Sequence, residues 1–135
     1  MSREVLNPED MYGTVAFGFS HATTSTSVKT IHCAGQVAWD KDYNVVGGDD
    51  LASQCRQVFD NLKQVLAAAG ATPADVVRMR TYVVNYSPDK LDHIGPAIAA
   101  FYGDSLPAAN TLLGVAALAM PEFLIEVEVT AQIDA

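Results

Sequence analysis

The stretch that most limits the fold of this chain runs from Phe123 to Gln132. Ile125, Val127, Val129 and Ala131 fall on one face of an extended strand, and Glu126, Glu128, Thr130 and Gln132 fall on the other. Strict alternation of this kind predicts a strand with one face in the core. An unpaired buried carboxylate is costly, so the face carrying Glu126 and Glu128 must meet water, a neighbouring subunit or a ligand pocket. A plain solvated face is the simplest of the three. Upstream, Asn110 to Leu118 forms a second apolar run. The break at Ala119-Met120-Pro121-Glu122 makes the two read as strands joined by a short connection.

The preceding chain supplies the layers for these strands to pack against. Residues 1–12 read as a loose arm, Gly13 to Phe19 as a short strand, and Ser20 to Ser27 as a polar loop. Val28 to Trp39 is predicted to be a strand, with Gly35 marking a bulge or a close approach of ligand or backbone. After a turn at Asp40–Asn44, Asp49 or Asp50 caps a long helix. Leu51, Cys55, Val58, Phe59, Leu62, Val65 and Leu66 form its apolar stripe, and Gly70 ends it. Val76 to Asn85 is the next strand, with Val77, Met79, Thr81 and Val83 alternating with Arg78, Arg80, Tyr82 and Val84. A second helix begins at Ser87-Pro88, with Leu91, Ile94, Ile98, Phe101 and Tyr102 on its apolar side. Pro96 predicts a kink or a restart within it. The sum is a single α+β domain over residues 1–135, a mostly antiparallel sheet with two helices on one face.

Composition narrows the function. The net charge is −8 and the one cationic cluster is Arg78 with Arg80, which argues against nucleic acid as a partner. No segment reads as a secretory leader or a membrane span. Two cysteines, Cys33 and Cys55, make no disulfide framework, and the chain reads as cytoplasmic. His21, His32 and His93 lack metal-ligand spacing, and no phosphate-cradling glycine motif is present, so no cofactor is expected. Gly47-Gly48-Asp49-Asp50 reads as a turn and cap, since its carboxylates would repel an anion. His32 and Cys33 point to opposite faces of their strand, so Cys33 is read as a small core residue, and Cys55 likewise.

Four motifs together resemble the Rid family (YjgF-like, reactive-intermediate deaminases, also called endoribonuclease L-PSP). They are Phe19-Ser20-His21-Ala22, Cys33-Ala34-Gly35-Gln36-Val37, the helix end from Asn61-Leu62 to Ala68-Ala69-Gly70-Ala71, and Leu118…Pro121…Ile125-Glu126-Val127-Glu128. The resemblance runs from about Gly18 to Gln132. It implies a chorismate-mutase-like fold, a homotrimer with a central barrel of sheets, and small-molecule clefts between subunits. Deaminating members hydrolyse imines and enamines such as 2-aminoacrylate. In them an Arg on the penultimate strand clamps the substrate carboxylate and a Glu on the last strand positions or protonates, with contacts from a Tyr near the N-terminus and an Asn in the second helical region. Mapped onto this chain, the Glu is Glu126, the catalytic candidate. The substrate-binding candidates are Phe19 at the Tyr position, Ala34, Gly35, Gly95 at the Asn position, Asn110 at the Arg position, and Leu112. Losing the Arg removes a strong bidentate contact, so the resemblance implies a neutral or cationic small molecule rather than a standard 2-aminoacrylate deaminase. Two functions compete: an imine or enamine hydrolase using Glu126, and a non-enzymatic ligand-binding or chaperone-like homotrimer. Ribonuclease activity fits an acidic chain poorly.

Overall fold

The computed structural model describes residues 3–134. Two short strands, β1 (Glu4–Leu6) and β2 (Ala22–Thr24), pair antiparallel. The main sheet comprises β3 (Lys29–His32), β4 (Val76–Val84), β5 (Ala109–Val115) and β6 (Ile125–Ile133), in the order β3-β6-β4-β5. The helices are α1 (Leu51–Ala68) and α2 (Leu91–Tyr102). The architecture is α+β, with both helices on one face of the sheet.

β6 follows the alternation of its sequence. Ile125, Val127, Val129 and Ala131 are buried, whereas Glu126, Glu128, Thr130 and Gln132 are half-buried on the opposite face. In β4, Met79, Thr81 and Val83 are buried and face the helices, leaving Arg78, Arg80, Tyr82 and Val84 on the other side. A register shift between Val76 and Arg78 interrupts the period at Val77, so Val76 rather than Val77 joins the core.

β5 and β6 are not neighbours, although a short connection links them. β4 lies between them, parallel to β5 and antiparallel to β6. Parallel strands need a long crossover, and α2 provides it between β4 and β5. The sheet is therefore mixed.

α1 starts at the predicted cap: the backbone N–H of Ser53 donates to the Asp50 carboxylate at 3.2 Å. Gly70 follows its end with φ +79°. Five of the residues predicted for its apolar stripe (Cys55, Val58, Phe59, Leu62 and Leu66) are buried, but Val65 is exposed. Gln54 takes a core position instead. Its amide donates to the carbonyls of Gly48 (2.7 Å) and Glu122 (2.9 Å) and accepts from the N–H of Leu124 (3.0 Å), which ties the approach to β6 onto α1. α2 runs unbroken through Pro96. A separate 3-10 turn, Pro88–Lys90, precedes it.

The N-terminal third departs most from expectation. The arm is not loose: besides β1, the Arg3 guanidinium donates to the carbonyls of Val76 (2.8 Å) and Leu106 (2.6 Å). The predicted strand at Gly13–Phe19 contains a 3-10 turn, Val15–Phe17, closed by Gly18 at φ +87°. The predicted loop after it contains β2. Val28–Trp39 is strand only over Lys29–His32, then continues as isolated bridges, Gln36 to Val127 and Trp39 to Val45.

Candidate functional site

The face of β6 opposite the helices begins with Gly35. Between the pairs His32–Thr130 and Gln36–Val127 the chain takes four steps on the Gly35 side and three along β6. One extra residue makes this a β-bulge. The hydrogen bonds resume on either side, Cys33 N–H to Val129 O at 3.0 Å and Gln36 N–H to Val127 O at 2.8 Å. The bulge lays Gly35 against the Glu126 side chain. A Cβ at Gly35 would fall 2.1 Å from Glu126 Oε2 and within 3 Å of two more of its side-chain atoms. Here the sequence expectation of a bulge or close approach meets its cause: the missing side chain is the seat of a carboxylate.

Glu126 is half-buried. Burial, with the Glu128 carboxylate nearby on the same strand face, pushes its pKa above the usual carboxylate range. Glu128 accepts the phenolic proton of Tyr82, and it lies opposite Arg80 in register. The open face thus carries a polar sheet surface of Glu126, Glu128, Tyr82, Arg80, Arg78 and His32. Ala34 is exposed on the bulge beside it.

Phe19, Gly95, Asn110 and Leu112 lie elsewhere. All four line a cavity of about 790 Å³ between the 3-10 turn at Val15–Phe17, α2, the loop after α2, and β5. In the parallel register Asn110 pairs with Met79 and Leu112 with Thr81, so both project to the helix side. The Thr81 hydroxyl donates to Asn110 Oδ1 at 3.2 Å. Ile94, Ile98, Phe17, Leu91 and Leu106 supply apolar wall, and among the described residues Asp104 is the only charged one in the lining.

The candidate residues therefore form two groups on opposite faces of one sheet: Glu126, Gly35 and Ala34 on the open face, and Phe19, Gly95, Asn110 and Leu112 in the cavity. Cys33 belongs to neither. It is buried in the core, and burial raises its thiol pKa, which disfavours the reactive thiolate. The polar clamp Gln54 escaped sequence reading, though its place three residues after Leu51 and four before Val58 is a stripe position.

The family model for endoribonuclease L-PSP matches residues 14–133. The chain belongs to the endoribonuclease L-PSP family. Among its relatives, a 2-iminobutanoate/2-iminopropanoate deaminase from Dermatophagoides farinae is 28% identical over 66% of this chain and 67% of that protein. A RutC family protein from Pyrococcus horikoshii is 30% identical over 73% of this chain and 75% of that one. The crystal structure of YyfB, from the conserved Rid protein family of Yersinia pestis, superimposes with a TM-score of 0.96 and 59% identity, covering 98% of this chain and 100% of that one. No helix among the described residues is long and apolar enough to cross a membrane.

Proposed function

We propose that this family member hydrolyses a neutral imine or enamine at a site shared between copies of the chain, with the cavity of one copy holding the substrate and Glu126 of another supplying the proton chemistry. The observation that carries this reading is the division of the candidate residues between two faces of one sheet. Within a single chain Glu126 cannot join Asn110, whereas a homotrimer that turns the open face toward a neighbour's cavity would unite them. In the reaction water adds across the C=N bond and the carbinolamine collapses to a carbonyl compound and ammonia. A carboxyl with a raised pKa suits both proton transfers, from the attacking water and to the departing nitrogen. The relative named as an iminobutanoate and iminopropanoate deaminase supports the reaction class.

We map Asn110 onto the position where deaminating members carry Arg. An amide can donate and accept hydrogen bonds but offers no charge to a carboxylate. Among the described residues the cavity lining includes no Arg, Lys or His, which supports an uncharged or cationic substrate. The same apolar wall also supports a second reading, a ligand-binding homotrimer without turnover.

The test is imine hydrolysis, with iminopropionate generated in situ by an amino-acid oxidase and trapped by semicarbazide, run beside neutral imines. Faster loss of a neutral imine, abolished in Glu126→Gln, supports the hydrolase. No turnover of any imine by a folded oligomer would overturn it in favour of the binder. Asn110→Arg should raise turnover of iminopropionate at least about tenfold, the scale of one charge-assisted contact. No gain would remove Asn110 from the substrate site.

A further inference from the structure

The cavity says more about its ligand than charge alone. Its volume of about 790 Å³ sits toward the upper end of the ~300–1,000 Å³ typical of sites for drug-sized molecules. A short-chain imino acid would occupy a small part of it and leave most of the apolar wall wet. On the β5 side the polar group is Asn110, which meets Thr81. On the side of α2 and the loop after it, Ile94, Ile98, Leu91 and Leu106 supply hydrocarbon.

Gly95 is the informative residue on that wall. Glycine inside a helix costs about 1 kcal/mol relative to alanine, and neither a turn nor close backbone packing explains it here. Its φ is not in the left-handed region, and a Cβ built on it would meet no atom within 4 Å. A Cβ would fit there, and because Gly95 lines the cavity a large side chain would extend into the space that the cavity occupies.

We propose that the cavity is built for an uncharged or cationic molecule carrying a bulky aromatic or branched apolar group, and that Gly95 sets the size it admits. The proposal rests on the reading of this cavity as the ligand site. It adds the substrate class: a nitrogen function hydrogen-bonded near Asn110, with the apolar group lying along α2 past Gly95. Asp104 at the lining favours a cationic over an anionic substituent.

Two probes share one framework and differ by a sulfonate: the neutral N-phenyl-1-naphthylamine and the anionic 1-anilinonaphthalene-8-sulfonate. Fluorescence titration of the full chain should show saturable binding of the neutral probe, at least about tenfold tighter than the anionic one. Gly95→Phe should weaken neutral-probe binding by at least about tenfold, and Gly95→Ala should retain it. Thermal unfolding and light scattering check that each variant keeps its fold and assembly. No saturable binding, equal affinity for both probes, or unaltered binding to a folded Gly95→Phe protein would each overturn the proposal. So would loss of assembly in Gly95→Phe, because it would assign the cavity to a neighbouring copy. Should Gly95→Phe fail to fold, Gly95→Leu is the same test with a smaller side chain. Probe binding is read without turnover. Gly95-sensitive binding without imine hydrolysis would sink the hydrolase alone, and turnover of a neutral imine without probe binding would sink this inference alone.

Discussion

The two faces of the main sheet are made by the same strands and have opposite chemistry. Toward the helices, β4 and β6 present Met79, Val83, Ile125, Val127 and Val129, all at most 2% exposed. One residue along, the same strands present Arg80, Tyr82, Glu126 and Glu128. A face destined only for water needs neither a bulge to seat a carboxylate nor apolar residues such as Leu113 and Val115 beside its charges. The open face has both, since Leu113 pairs with Tyr82 and Val115 with Val84 in register. The helix face accounts for the fold. The open face carries the features on which the proposed contact with a neighbouring copy rests.

The largest effect is expected from a truncation on the helix face. Ile125→Ala should destabilise the chain by about 3 kcal/mol, because it removes buried hydrocarbon and leaves a cavity. Chemical denaturation measures this. A loss under 1 kcal/mol would mean that β6 is not the centre of the core. Next in size comes Leu113→Glu on the open face, where Leu113 is 45% exposed. If a neighbouring copy covers that face, light scattering should show the assembly falling apart while circular dichroism stays native. An intact oligomer would return the open face to water.

Much of this contrast could be read from the sequence, and the reason is local. Alternation in β6 and β4 assigns each side chain to a face before any partner is known, and the stripe and caps of α1 are equally local. Pairing order is not. The connection at Ala119–Glu122 suggests neighbours, but β4 enters between β5 and β6, because a parallel crossover is stabilised by contacts that only the folded chain possesses. The three-residue strands β1 and β2 are too short to show a period, and the glycines around Val15–Phe17 permit a turn that alternation alone reads as strand. For the same reason the resemblance could gather Asn110 and Glu126 as site residues without showing that one chain holds them apart. That division follows from the register of β5 on β4.

A smaller effect is expected at the bulge. In Gly35→Ala the new methyl group would displace the Glu126 carboxylate, which is the far end of a flexible side chain. The fold should lose no more than about 1 kcal/mol. Under the hydrolase reading, turnover should drop more than tenfold with little change in KM, because Glu126 acts in the chemical step. Steady-state kinetics beside thermal unfolding would separate the two. Equal turnover in a folded Gly35→Ala protein would detach Glu126 from catalysis.

The smallest effect is the stability of Glu126→Gln as a function of pH. Burial and the neighbouring Glu128 raise the folded-state pKa of Glu126 above its ordinary value of 4.5. The folded chain then holds the proton more tightly than the unfolded chain. Stability contributed by this group is complete below the unfolded pKa and falls as pH rises through the folded one. Glutamine has no charge to desolvate. The variant should therefore gain on the parent as pH rises above the ordinary carboxylate range, and the two curves should run parallel at lower pH. On a face open to water the gain should stay within about 0.5 kcal/mol. A neighbouring copy over the carboxylate would deepen its burial, enlarging the gain and moving the window upward. A gain that grows with protein concentration would therefore place Glu126 at an interface, and a concentration-independent one would leave it on the surface of a single chain.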